Sequence, residues 1–137
     1  MYETWYDAPM TASWETGFSA AKLASEQSNG RRPGQRLGAA LFSGPRLLSI
    51  GYNLYGKSTS SHRWSTHAEI MALVRRKHYD DDKNLVLYVY REVRDHVGKV
   101  SRGSCRPCPE CLAYINQSPV KTVRFFENGG QPWQIKL

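Results

Sequence analysis

Apolar positions along the chain fall into short runs broken by glycine, proline and charge, and the spacing inside each run predicts an element. Tyr2, Trp5, Tyr6 and Trp14 give residues 1–14 aromatic weight without a period, which reads as a packed N-terminal arm. Phe18, Ala21 and Ala24 then recur at helical spacing and predict a first helix from about Glu15 to Ser28. Gly30 and Pro33 stop it. Two strands follow, Leu37–Phe42 and Leu47–Tyr52, around the hairpin signal Ser43-Gly44-Pro45-Arg46. A polar stretch from Asn53 to Ser65 holds Lys57, His62, Arg63 and Trp64. Ile70, Leu73 and Val74 give the next apolar face, a helix over about 67–78 with Thr66 as its expected cap.

The run Leu85–Tyr90 is continuously apolar, as a central strand covered on both faces requires. Residues 91–106 are polar and read as an inserted loop, with Val97-Gly98-Lys99-Val100 at its tip. Pro107 opens a short helix to about Ser118, with Cys108, Cys111, Leu112 and Ile115 on one side. Val120–Phe126 reads as a strand, Asn128-Gly129-Gly130 as a turn, and Trp133, Ile135 and Leu137 alternate in a last strand. The order is helix, strand, strand, helix, strand, helix, strand, strand. It predicts one α/β domain, residues 1–137, around a mixed five-stranded sheet.

Composition narrows the class. With 137 residues, 40% hydrophobic and 23% charged, the chain suits a single globular core and not a disordered or fibrous one. No apolar run reaches the ~18–20 residues of a membrane helix. The start, Met1-Tyr2-Glu3-Thr4-Trp5, lacks the basic-then-apolar order of a secretory leader, so a cytoplasmic protein with no membrane partner is expected. A net charge of +7 and a pI near 9.5 point to an anionic partner: nucleotide, phosphate or nucleic acid. Arg31-Arg32, Arg75-Arg76-Lys77, Arg102 and Arg106 are scattered and form no single stripe.

Chemistry concentrates at two short motifs. Cys105, Cys108 and Cys111 lie within seven residues, too close for a disulfide framework and odd in number, so a metal is the better expectation. Cys108 and Cys111 stand three apart on one helical turn, near a helix start that favours thiolates. His67, in His67-Ala68-Glu69, adds one imidazole. A Cys₂His set leaves a fourth tetrahedral position open, the arrangement of catalytic rather than structural zinc. Iron–sulfur ligation lacks its fourth cysteine, and Cys105 is left as a loop thiol. Glu69, two residues after His67, addresses the same metal only if both lie at the end of the helix. There it would carry protons without being a ligand.

His67-Ala68-Glu69 followed by Pro107-Cys108-Pro109-Glu110-Cys111 resembles the cytidine/deoxycytidylate deaminase superfamily. The likeness in order of elements runs from about Phe18 to Leu137 and includes Leu37-Gly38-Ala39-Ala40 and Gly51-Tyr52-Asn53. It implies a three-layer domain with helices on both faces of the sheet. It implies one Zn²⁺ on His67, Cys108 and Cys111, with Glu69 as proton shuttle. It further implies that Asn53 holds the sugar or base edge and that the Ala68 amide meets the base carbonyl. Trp64 is a candidate base-stacking residue and Arg106 a candidate phosphate contact.

The reaction expected is hydrolysis of a cytosine-type base to uracil and ammonia. A free pyrimidine nucleoside or nucleotide (cytidine, deoxycytidine or dCMP) is the favoured substrate, because the apparent final hairpin resembles the free-nucleoside branch. A deaminase of single-stranded DNA or tRNA, favoured by the basic charge, is the alternative within the family, and a non-catalytic zinc module the alternative outside it. The sequence leaves monomer and homo-oligomer open.

Overall fold

The computed structural model describes residues 4–7, 11–31, 35–56, 65–76, 84–94, 97, 100–102, 105–127 and 131–137. In chain order they form β1 (Thr4–Asp7), α1 (Ala12–Ser25), β2 (Leu37–Ser43), β3 (Arg46–Tyr52), β4 (Leu54–Tyr55) and β5 (Ser65–Thr66). Then come α2 (Ala68–Arg75), β6 (Leu85–Arg94), β7 (Val100–Arg102), α3 (Pro109–Asn116), β8 (Val120–Glu127) and β9 (Gln131–Lys136). The five expected strands make the body of one sheet, in the order β9-β8-β6-β2-β3. Every pairing in it is antiparallel except β6 with β8, where α3 supplies the crossover between parallel neighbours. Gly44, with φ +56°, occupies the first central position of the tight turn between β2 and β3, where glycine is favoured.

Strand alternation assigns the helices to faces. Gly38 lies under α1: a Cβ there would strike the Ala21 carbonyl. Gly51 lies opposite Ala39, one residue further along β2, and a Cβ there would strike the Ala68 carbonyl of α2. The two helices therefore cover opposite faces, with α3 beside α2. On the α1 face the aromatic rings of Trp14, Phe18, Tyr88 and Phe126 pack together. On the other, Ala39, Leu41, Ala72, Leu87 and Val89 are buried beneath α2 and α3.

Several boundaries differ from the sequence reading. The first helix starts at Ala12, not Glu15, because Thr11 caps it by accepting the Trp14 N–H (3.4 Å); Trp14 is a buried helical residue and not part of an arm. Residues 4–7 extend the sheet by pairing with β9. Residues 91–106 are more than a loop: β6 continues to Arg94 and β7 folds back on it, so the insertion is an antiparallel ribbon. The polar stretch after Asn53 contains the short pair β4–β5. Thr66 belongs to β5 and does not cap α2; the cap position falls to His67. Among the described residues no helix is long and apolar enough to cross a membrane.

Candidate active site

The start of α2 and the start of α3 meet at one cavity. His67 holds extended backbone (φ −85°, ψ 142°) at the cap of α2 and makes no capping hydrogen bond with its side chain. Its imidazole turns instead to the thiols, with Nδ1 3.0 Å from Cys111 Sγ and 4.0 Å from Cys108 Sγ. Cys108 caps α3, its Sγ accepting the Cys111 N–H at 3.4 Å, and Pro109 follows at the first helical position. The three ligand atoms all lie within 4.8 Å of one another.

That donor set fits a zinc ion. Metal–ligand bonds of ~2.0–2.3 Å place the ligand atoms of a tetrahedron about 3.3–3.8 Å apart, close to the spacing found. The electrostatics point the same way. Burial pushes the Cys111 thiol well above the ordinary thiol range, and neighbouring Glu69 and Cys108 push it further. Proximity to a helix start was expected to favour the thiolate; desolvation outweighs it in the protein alone. Held out of water, Cys111 and Glu69 favour their neutral forms until a cation lies beside them.

Glu69 is buried, at 4% exposure, in the first turn of α2. Burial raises its pKa, against a hydrogen bond from its own backbone N–H and one with Cys111. Because His67 is still extended and only Ala68 and Glu69 are helical, side chains two residues apart face one cavity, which a mid-helix spacing would forbid. The cavity is about 190 Å³ and is lined by Leu37, Asn53, Tyr55, His67, Ala68, Glu69, Arg106 and Cys108.

Asn53 is buried and its side chain is engaged with the chain: Oδ1 accepts the Leu37 N–H (2.8 Å) and Nδ2 donates to the Gln35 carbonyl (2.6 Å). It thereby fixes the wall formed by Leu37, and retains one amide hydrogen and one acceptor lone pair. Ala68 brings a first-turn N–H, a kind of group with no acceptor inside the helix. Arg106 is exposed at the cavity. Trp64, like His62, His78 and His96, lies outside the described residues.

Two lining residues, Leu37 and Tyr55, were missed as site residues in the sequence. Neither gave a signal in the sequence: Tyr55 falls in the stretch after Asn53 that reads as a polar loop, and its place at the cavity depends on the β4–β5 pairing. Cys105 lies in the connection between β7 and α3, as a loop thiol would, but it is not spare. It is buried between the ends of β6 and β8, its Sγ donating to the Val89 carbonyl (3.2 Å) and accepting the Phe126 N–H (3.4 Å).

The family described as the cytidine and deoxycytidylate deaminase zinc-binding region matches residues 12–127. The chain belongs to that family. It is a zinc-dependent deaminase, hence a hydrolase, and its cofactor is one Zn²⁺. Among solved structures it is similar to the apo dCMP deaminase of cyanophage S-TIM5, with 27% identity and a TM-score of 0.62 over 88% of this chain and 89% of that one. The same phage enzyme in complex with dCMP and dUMP matches at 25% identity and a TM-score of 0.61, over 87% and 85% of the two chains. A cytidine deaminase from Burkholderia pseudomallei shares the fold, at 19% identity and a TM-score of 0.57 over 90% of each chain. No curated protein sequence matches the chain.

Proposed function

We propose that the enzyme hydrolyses the exocyclic amine of cytosine in a free nucleoside or nucleotide: cytidine, deoxycytidine or dCMP. The observation that carries this reading is one small cavity lined by His67 and Cys108 of the ligand cluster, by Glu69 and by Arg106 together. About 190 Å³ suits a single base with its sugar better than a strand of several nucleotides. The antiparallel β8–β9 pair adds support, since the free-nucleoside branch of the superfamily resembles this arrangement. Unpaired thiols suit a reducing, cytoplasmic setting.

Zinc held by His67, Cys108 and Cys111 supplies polarisation that brings the pKa of water toward ~7. Glu69 accepts one proton of the attacking water and passes it to the ring nitrogen; it then takes the remaining proton of the added hydroxyl and gives it to the departing amino group, so that ammonia leaves as the C–N bond breaks and the carbonyl forms. Ala68 offers its N–H to the base carbonyl, Asn53 its remaining amide hydrogen to the sugar or base edge, and Arg106 a cation to a 5′-phosphate.

Ammonia release from cytidine, deoxycytidine, dCMP, adenosine, guanine and oligonucleotides, assayed side by side, tests the substrate. Turnover of the cytosine mononucleosides or dCMP supports the reading. Turnover confined to oligonucleotides, falling steeply between about 50 and about 200 mM salt, overturns it in favour of a strand-directed enzyme.

A further inference from the structure

Tyr55 lines the cavity and is 39% exposed, so it is open to a ligand there. Its backbone is gripped from outside the site. Asn29 Nδ2 donates to the Tyr55 carbonyl at 2.9 Å, and the Tyr55 N–H donates to Asn29 Oδ1 at 2.7 Å. One amide side chain thus makes the two-point pairing that a neighbouring strand residue would make. Successive residues of a strand turn their amide groups to opposite edges. Leu54 and Tyr55 pair with Thr66 and Ser65 on one edge of β4, and Asn29 takes the other, where a third strand would run.

Asn29 is held in place by its own surroundings. The Gly30 N–H donates to Ser28 Oγ (3.2 Å), the Arg31 N–H to Gln35 Oε1 (3.0 Å), and Arg36 Nε to the Gly30 carbonyl (2.9 Å). The fold here is tight enough that a Cβ on Gly30 would come within 2.8 Å of the Gln35 side chain. The Gln35 carbonyl in turn accepts from Asn53. The segment after α1 therefore braces both Asn53 and Tyr55, and β5, paired with β4, runs directly into His67.

We propose that Asn29 and Tyr55 work as one unit that sets how tightly substrate is held. Tyr55 is the binding wall against the nucleoside, and Asn29 the positioning residue behind it. This deepens the proposed function and rests on it. Ring contact with a base is sequence-tolerant and contributes to binding of ground state and transition state alike, so its loss falls on KM.

Steady-state kinetics of the zinc-loaded full chain on cytidine, deoxycytidine and dCMP tests the unit. Tyr55→Ala and Asn29→Ala are each expected to raise KM about tenfold, with kcat within about twofold and zinc content unchanged. The double variant is expected to be no worse than Tyr55→Ala alone, because Asn29 acts only through that wall. Asn29→Asp keeps the acceptor for the Tyr55 N–H and loses the donor, and its KM is expected in between. Hydrogen exchange at the Tyr55 amide is expected to quicken in Asn29→Ala, with or without substrate. Unchanged KM in Asn29→Ala, effects that multiply in the double variant, or a fall in kcat together with zinc would each overturn the unit. A wild-type enzyme that releases ammonia from none of the three substrates overturns the substrate reading itself, a different result from an active enzyme indifferent to Asn29.

Discussion

On the face of the sheet under α1, Phe18 packs against Phe126 (4.2 Å between centroids) and edge-on to Tyr88 (5.2 Å). Arg124 lies 4.3 Å from the Trp14 ring and donates to Tyr88 Oη (2.6 Å) and Gln134 Oε1 (3.1 Å), so even the cation there is shared among ring faces and oxygens. On the opposite face, small residues line the place where α2 crosses β2 and β3. Ala39, Ala68, Ala72 and Gly51 let α2 lie close, and Ser49 Oγ donates to the Ala72 carbonyl at 2.6 Å. Against this tight packing the chain buries Glu69, Cys105 and Cys111. Aromatic burial is a gain of several kcal/mol per residue; burying ionisable groups is a cost. Both sides of the sheet bury large apolar side chains, Leu41, Leu87 and Phe125 among them on the α2 side, and it is on that side that the acid and the ligand thiol are buried.

The sharpest test of that division is Glu69→Gln. Activity is expected to fall about 10²–10⁴-fold, with zinc content and thermal stability close to wild type, as ammonia release, metal analysis and calorimetry would show. Near-normal turnover would remove Glu69 from the chemistry. Phe18→Ala on the opposite face is expected to do the reverse. It empties a fully packed aromatic site and should cost about 3–5 kcal/mol in urea unfolding, while kcat/KM per folded molecule stays near wild type.

Gly38→Ala and Gly51→Ala compare the faces directly. Each Cβ would meet helix backbone, Ala21 and Ser25 in one case and Ala68 and Ala72 in the other, so each should cost about 1–3 kcal/mol. Only Gly51→Ala displaces the first turn of α2, which carries His67 and Glu69, and only it should lower kcat and zinc affinity in the folded fraction. Equal kinetic damage from both would show that the faces are mechanically coupled.

A pH dependence tests the buried thiol itself. Burial pushes the Cys105 thiol up to about 12 from an ordinary value near 9. The folded state thus prefers the protonated thiol. The stability this brings is complete below about pH 9 and is lost as pH rises toward 12, by up to ~1.4 kcal/mol per pH unit. Denaturant unfolding between about pH 8 and 11 should show that decline in wild type and a flatter profile in Cys105→Ala.

Residues close in sequence carried most of what was legible in advance. The short apolar runs Leu37–Phe42 and Leu47–Tyr52 around the turn signal at Gly44, and the continuous run at Leu85–Tyr90, depend on local propensity and turn chemistry, which neighbours impose. Cys108 and Cys111 share one helical turn, so their pairing is a local fact. The order of elements likewise named five strands of the sheet correctly, and missed β1 and β7 because segments of three or four residues are too short to show a period.

Tertiary structure decided the rest. His67 reaches Cys111 across 44 residues, and nothing in either segment alone states the 3.0 Å between them. Cys105 looked like a spare thiol until the ends of β6 and β8 closed around it. Tyr55 became a cavity wall through Asn29, 26 residues away, and through a hydrogen-bond pair that carries no sequence period. By itself the sequence determined the reaction centre's chemistry, because ligand type and helical spacing are local. The shape around that centre comes from contacts between distant segments, and those exist only once the chain has packed.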